Sequence, residues 1–145
     1  MRLRPATAAD APFVRALYAD VLATTFPPAA FEEPLRTALL DGQFAARRAN
    51  HAGGEDLVVE DDGDPVGHVV LRRSADEVHV VDLAIAPARR GRGLGTAVLE
   101  HLAGEGRDVV LEVERTNGRA AALYRRLGFV DDGSDAVTAR LRRRR

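Results

Sequence analysis

The chain has 145 residues, 46% hydrophobic and 30% charged, which is the size and balance of one ordinary globular domain. It contains no cysteine, which excludes a disulfide scaffold, a thiolate metal site and a cysteine nucleophile. The formal net charge of −1 argues against a nucleic-acid-binding domain. No apolar run approaches the ~18–20 residues that span a bilayer, and MRLRPATAAD lacks the apolar core of a secretory signal. A cytoplasmic protein with no membrane partner is expected.

In chain order, Leu3 to Pro5 reads as a short strand. Thr7 and Asp10 form a capping box that opens a helix to about Ala23, with Phe13, Leu17, Tyr18, Val21 and Leu22 as its apolar stripe. A loop with Pro27 and Pro28 follows, then a second helix from about Phe31 to Ala49, expected to break near Gly42, and a turn from His51 to Gly54. Asp56 to Glu60, Pro65 to Arg73 and Glu77 to Ile85 read as an antiparallel meander joined by hairpin turns. A basic, glycine-rich loop then leads into a helix from Gly93 to about Ala103. Asp108 to Glu114 is the next strand, and Asn117 caps a helix to Leu127. Phe129 to Asp131 and Ala136 to Leu141 close the chain as a hairpin. The order β-α-α-β-β-β-α-β-α-β-β predicts a single α/β domain with a mixed, mostly antiparallel sheet of about seven strands and about four helices. All 21 basic residues are arginine, and five of them crowd residues 140–145, read as a solvated, frayed basic tail. The histidines His51, His68, His79 and His101 lack metal-ligand spacing, so no metal is expected.

The loop Arg89 to Thr96, RRGRGLGT, carries the clearest chemistry. Glycines between a strand and a helix let the backbone approach a ligand. The first amides of the helix have no partner within it, and its dipole makes that end electropositive. With Arg89, Arg90 and Arg92 this is an anion site suited to a diphosphate. A dinucleotide fingerprint fails at Thr96 and in its topological setting, and a phosphate loop of the Walker type needs a lysine.

Here the sequence resembles the GNAT superfamily of acyl-CoA-dependent N-acyltransferases. Arg90-Gly91-Arg92-Gly93-Leu94-Gly95 matches that family's Q/R-x-x-G-x-G/A loop, and Leu83-Ala84-Ile85-Ala86-Pro87 its lead-in. Asn117, Ala120, Leu123, Tyr124 and Leu127-Gly128-Phe129 match the second motif. Leu111-Glu112-Val113-Glu114 ahead of Asn117 is similar to the ribosomal-protein-alanine acetyltransferase branch. The resemblance implies acetyl-CoA as co-substrate and an N-acetyltransferase domain over residues 1–145. It implies that Leu83, Ala84 and Ile85 face the pantetheine arm, that Arg90, Gly91, Arg92, Gly93, Leu94, Gly95 and Thr96 hold the diphosphate, and that Asn117 bonds the arm. Tyr124 would stand near the sulfur.

A tyrosine hydroxyl with a pKa about 10 can protonate a departing thiolate, which suits Tyr124 as acid. For the base, Glu112 is the branch's residue; its plain alternative is a solvated edge glutamate. Asp82 and His79 compete with it. Strict alternation groups His79, Val81, Leu83 and Ile85 against Val78, Val80, Asp82 and Ala84, unless a bulge intervenes. Tyr18, Phe26, Phe31, Glu32 and Glu33 are candidate walls of the acceptor site. The short final hairpin, turning at Asp132 to Asp135, leaves that site open. The expected acceptor is a primary amine, on a small molecule or a protein N-terminus, and a homodimer is compatible with the sequence. The rival functions are a non-catalytic acyl-CoA sensor and a dinucleotide-binding protein.

Overall fold

The computed structural model describes residues 1–25 and 31–145. The elements are β1 (Arg2–Pro5), α1 (Ala11–Thr25), α2 (Leu35–Asn50), β2 (Glu55–Asp61), β3 (Asp64–Arg73), β4 (Glu77–Ile85), α3 (Leu94–Ala103), β5 (Asp108–Glu114), α4 (Gly118–Arg126), β6 (Val130–Asp131) and β7 (Thr138–Arg143). They build one seven-stranded sheet in the order β1-β2-β3-β4-β5-β7-β6. β4 and β5 run parallel, and every other pair is antiparallel. The expected α/β class and element order hold.

Each face of the sheet has its own core. One face packs Val69, Leu71, Val78, Val80, Val109 and Leu111 against Val98, Leu99 and Leu102 of α3 and Phe129 after α4. This follows from the period-2 pattern of the strands and the i, i+4 spacing in α3. The other face has a smaller apolar cluster of Val14, Leu17, Tyr18 and Ala84, flanked by Phe13, Val21 and Phe44.

α2 runs unbroken through Gly42, where a side chain would meet open space, and no residue of α2 is buried. Beyond the half-buried Phe44, its attachment to the sheet is ionic. Arg47 holds Asp82 through Nε and Nη2, both at 2.7 Å, and Arg48 donates to Asp56 at 2.7 Å. His51, just past the helix, donates from Nε2 to Asp82 at 2.8 Å and takes Nη1 of Arg48 on Nδ1 at 3.0 Å. His68 bonds Asp56 through Nε2 and Tyr18 through Nδ1, the latter at 2.7 Å. Arg47 closes the ring by lying 4.7 Å over the Tyr18 ring. Tyr18 is therefore a fully buried core residue, not a wall of the acceptor site.

This ring makes stability depend on pH. Burial lowers the proton affinity of His68 below the usual 6.5, outweighing the Asp56 carboxylate beside it. Its neutral Nδ1 therefore accepts from the Tyr18 hydroxyl. Burial opposes ionisation of Asp82, but the His51 hydrogen bond and the Arg47 fork outweigh it and pull the group from 3.8 to about 2. Both groups bind protons more readily in the unfolded chain, so both contributions are lost as pH falls. Denaturant midpoints should drop first below about pH 6.5, and again between about pH 4 and 2. Asp82→Asn should shrink the second step without abolishing it, because Asp10, Asp56, Asp108, Asp132 and Asp135 are also held below their ordinary values by their partners; a flat profile from pH 7 to 3 would contradict this.

The basic end of the chain is not a frayed tail. Ala139 and Leu141 are buried, and β7 extends through Arg143. Arg140 pairs with Glu112, Arg142 with Asp132 and Asp108, and Arg143 with Glu100. Inward-facing small and apolar residues alternate with these arginines, so β7 reads as an amphipathic strand rather than as a charge run.

Candidate active site

β4 and β5 are paired only from Glu77–Val80 to Asp108–Leu111. Beyond that point the register of β4 against β3 slips: Leu71 faces Val80, but Val70 faces Asp82. Val81 is the extra residue of a bulge, which turns the strand and opens it away from β5. The bulge overturns the alternation expected for β4. Val78, Val80, Leu83 and Ile85 lie on the α3 face, while Asp82 and Ala84 join the α1–α2 face.

A cleft of about 240 Å³ fills the gap between the two strands. Its walls are Val81, Asp82 and Leu83 of β4, Glu112 to Glu114 of β5, Arg47, Asn117 and Tyr124. Asp82, Glu112 and Tyr124, three of the four residues expected to do the chemistry, thus converge from three elements on one opening, which His79 does not border. A second cavity of about 510 Å³ adjoins it through Asn117, which lines both. This one is walled by Ile85, the 89–96 loop and the exposed face of α4.

The loop fits a diphosphate. Gly91 and Gly93 take φ of 75°, a left-handed conformation that favours glycine, and a side chain at either would project into open space. The first backbone hydrogen bond of α3 runs from Ala97 to Gly93 at 2.9 Å. The amides from Gly91 to Thr96 thus lack intramolecular partners among the described residues. The nearby arginines divide. Arg89 pairs with Asp64, and Arg90 turns back to the Ile85 carbonyl at 3.0 Å and Asp20 at 3.1 Å. The Ile85 carbonyl, expected to face the pantetheine arm, therefore already accepts one hydrogen bond. Arg92 has no ion pair among the described residues.

Tyr124 packs its ring 6.0 Å from Phe129, and its hydroxyl has no partner among the described residues. Burial pushes the phenol above its ordinary 10, so at neutral pH it is a proton donor. Asn117 caps α4 by accepting the Ala120 amide on Oδ1 at 3.2 Å, which leaves its NH₂ for a ligand. Glu112 is about one-third exposed and lies on the sheet face opposite α3. It is not set among apolar side chains: Oε2 accepts from His79 at 2.6 Å and Oε1 from Arg140 at 2.8 Å. Two of the rival bases are thus one hydrogen-bonded pair. Phe31, Glu32 and Glu33 do not border the cleft, and Glu33 is engaged by Arg36 and Thr37 within its own turn. Phe26 lies outside the described residues. Among the described residues, no group of three or more histidines and acids is disposed to hold a metal, and no helix is long and apolar enough to cross a membrane.

The sequence profile of the acetyltransferase (GNAT) family matches residues 15–129. The chain belongs to that family. The GNAT chain is 32% identical over 123 residues to an uncharacterised N-acetyltransferase of Methanocaldococcus jannaschii, covering 74% of its own length and 76% of the relative's. It is 31% identical over 104 residues to streptothricin acetyltransferase of Streptomyces lavendulae, across 67% of this chain and 55% of that protein. It spans about half the length of that relative, and 26% of the mycothiol acetyltransferase of Mycolicibacterium gilvum. Among solved structures, ribosomal-protein-alanine N-acetyltransferase from Brucella melitensis superposes with a TM-score of 0.64 at 25% identity, covering all of both chains. An N-acetyltransferase from Thermoplasma acidophilum in complex with coenzyme A gives 0.67 at 15% identity, covering 99% of this chain and 98% of that one.

Sequence reading of this GNAT chain missed Arg119 and Arg126, which line the larger cavity beside the motif residues Ala120 and Leu123. Their spacing along α4 places them on one helix face, the signal that was available. Neither Arg119 nor Arg126 has a carboxylate partner among the described residues. Reversing Arg126 to Glu should raise the acetyl-CoA KM about tenfold, the size of a ~1.4 kcal/mol charge effect. The acceptor KM should stay constant, and added salt should shrink the difference. Steady-state kinetics at two ionic strengths check this.

Proposed function

We propose that the chain transfers the acetyl group of acetyl-CoA to a primary amine by direct attack in a ternary complex. The observation that carries this reading is the junction at Asn117. Among the described residues, one side is a cavity bordered by unpartnered amides and by Arg119 and Arg126, which lack carboxylate partners; the other is a cleft with the unpartnered Tyr124 phenol and two hydrogen-bonded carboxylates, Asp82 and Glu112. A diphosphate at Gly91 to Thr96 lets the rest of the cofactor run past Asn117 into the gap between β4 and β5.

Bound acetyl-CoA supplies an activated acyl group. The chain's own residues do the rest. The β4 edge beyond Val80, which β5 does not pair, offers backbone N–H groups near Leu83 to the oxygen that gains charge as the amine nitrogen bonds to the carbonyl carbon. Tyr124 gives its phenolic proton to the sulfur as the carbon–sulfur bond breaks. Glu112 takes the proton whose loss makes the attacking nitrogen nucleophilic, with His79 as its hydrogen-bonded partner. An α-amino group, pKa about 8, asks little of that base. The names of the relatives support both acceptor types: the Brucella protein is named for a ribosomal-protein alanine and the Streptomyces one for streptothricin.

The test is release of free thiol from acetyl-CoA with a panel of small amines and peptides, beside thermal shifts with coenzyme A and NAD. Stabilisation by coenzyme A alone, with amine-dependent thiol release, is expected. Binding without release under any amine would point to a sensor, and stabilisation by NAD alone to a dinucleotide-binding protein.

A further inference from the structure

Asp82 has a feature that the transfer scheme above does not use. A carboxylate offers about four lone-pair positions for hydrogen bonds. In Asp82, Oδ2 accepts from Arg47 Nε at 2.7 Å and from His51 Nε2 at 2.8 Å, and Oδ1 accepts from Arg47 Nη2 at 2.7 Å. Three positions are filled from the α2 side, and the fourth remains on Oδ1. Asp82 also borders the cleft with Tyr124 and Glu112.

His51 is held in one form by geometry. The Arg48 guanidinium can only donate, so the Nδ1 that meets it at 3.0 Å must be the accepting nitrogen. The ring proton is therefore on Nε2, aimed at Asp82. Arg48 is fixed in turn by Asp56, and Asp56 by His68, whose other nitrogen meets Tyr18. His51 itself is nearly inaccessible, at 6% exposure, although the Arg48–Asp56 pair that fixes it is about one-third exposed.

We propose that Asp82 is the docking carboxylate for the acceptor's amino group and that His51 is a positioning residue, which holds Asp82 so that Oδ1 faces the cleft. This rests on the reading that the cleft receives an amine. It divides the work between two carboxylates: Asp82 binds and orients the ammonium, and Glu112 takes the proton whose loss makes the nitrogen nucleophilic; the second proton, shed as the carbon–nitrogen bond forms, replaces the one that Tyr124 gives to the sulfur. Asp82 suits the first task better than the second, because its partners keep it ionised down to about pH 2 and so make it a poor proton acceptor. The class of acceptor follows: an amine that arrives as an ammonium ion, whose charge the Asp82 oxygen meets without any rearrangement of Arg47.

The experiment uses the full chain with saturating acetyl-CoA and three probes: n-butylamine, 1,4-diaminobutane and an alanine-initiated tripeptide. His51→Leu should raise the acceptor KM about tenfold, the effect of losing one hydrogen bond to a charged group, while the acetyl-CoA KM stays within about twofold. His51→Gln, whose amide can donate to Asp82 and accept from Arg48, should restore most of the loss. Asp82→Asn should raise the acceptor KM further, and His51→Leu added to it should change little more. Equal effects of Leu and Gln at His51, a parallel rise in the acetyl-CoA KM, or additive losses in the double variant would overturn the proposal. ¹⁵N spectra of the histidine side chains supply a readout independent of turnover. The His51 Nε2 resonance should shift on adding each amine to the coenzyme A complex, and should not shift in Asp82→Asn. A resonance that no amine moves overturns the docking role. Failure of the wild type to acetylate any probe while that resonance does move counts instead against the transfer reaction.

Discussion

Replacing Tyr124 with Phe should lower kcat by about a hundredfold or more, the usual size of a lost general acid, and leave the acetyl-CoA KM nearly unchanged. The ring would keep its place beside Phe129 and the α3-side core, so the geometry of the cleft would survive. Stability should survive too, because among the described residues the hydroxyl has no partner to be orphaned. Tyr18 makes a useful contrast. Its hydroxyl meets His68 at 2.7 Å inside the fold, so Tyr18→Phe strands a buried nitrogen and should cost stability rather than chemistry. Parallel melts and thiol-release assays of the two variants separate these outcomes. A Tyr124→Phe enzyme within twofold of wild type would remove the phenol from the reaction.

Replacing Gly93 with Val should weaken coenzyme A binding by about a hundredfold, equivalent to losing two charge-assisted hydrogen bonds of about 1.5 kcal/mol each. Gly93 caps α3 at φ 75° and ψ 13°, where a β-branched residue is a steric outlier. The backbone must turn to accommodate it, and the amides of the following residues turn with it. Gly93 itself is exposed, but Leu94 beside it belongs to the α3-side core, so the melting temperature should also fall by a few degrees. Titration calorimetry with coenzyme A measures the effect. Unchanged affinity would mean that the loop is not the diphosphate site.

Much of this molecule can be read from its sequence because its local signals agree with its tertiary contacts. The residues of the glycine loop carry their own conformational requirement, and Asn117 its own cap. Tyr124 and Phe129 fall at spacings that a short helix and turn bring together. The bulge at Val81 is different. It arises from how β3 and β4 twist against each other, and nothing within V-V-D-L marks it. That single inserted residue sends Asp82 to the α2 face and opens the cleft. The role of α2 was hidden for a related reason. Its periodicity indicates a helix, but its attachment depends on Arg47, Arg48 and His51 finding Asp82 and Asp56, contacts that span up to 35 residues of chain. The arginines of β7 show the converse. Ala139 and Leu141 mark the strand at period 2, and the density of positive charge around them obscures it.

The most direct test is a crystal structure with coenzyme A bound. The account predicts phosphate oxygens within hydrogen-bond distance of the amides between Gly91 and Thr96, the pantetheine passing the Asn117 side chain, and the sulfur in the gap between β4 and β5 within reach of the Tyr124 hydroxyl. A nucleotide bound away from the start of α3, or a sulfur that never enters that gap, would contradict it.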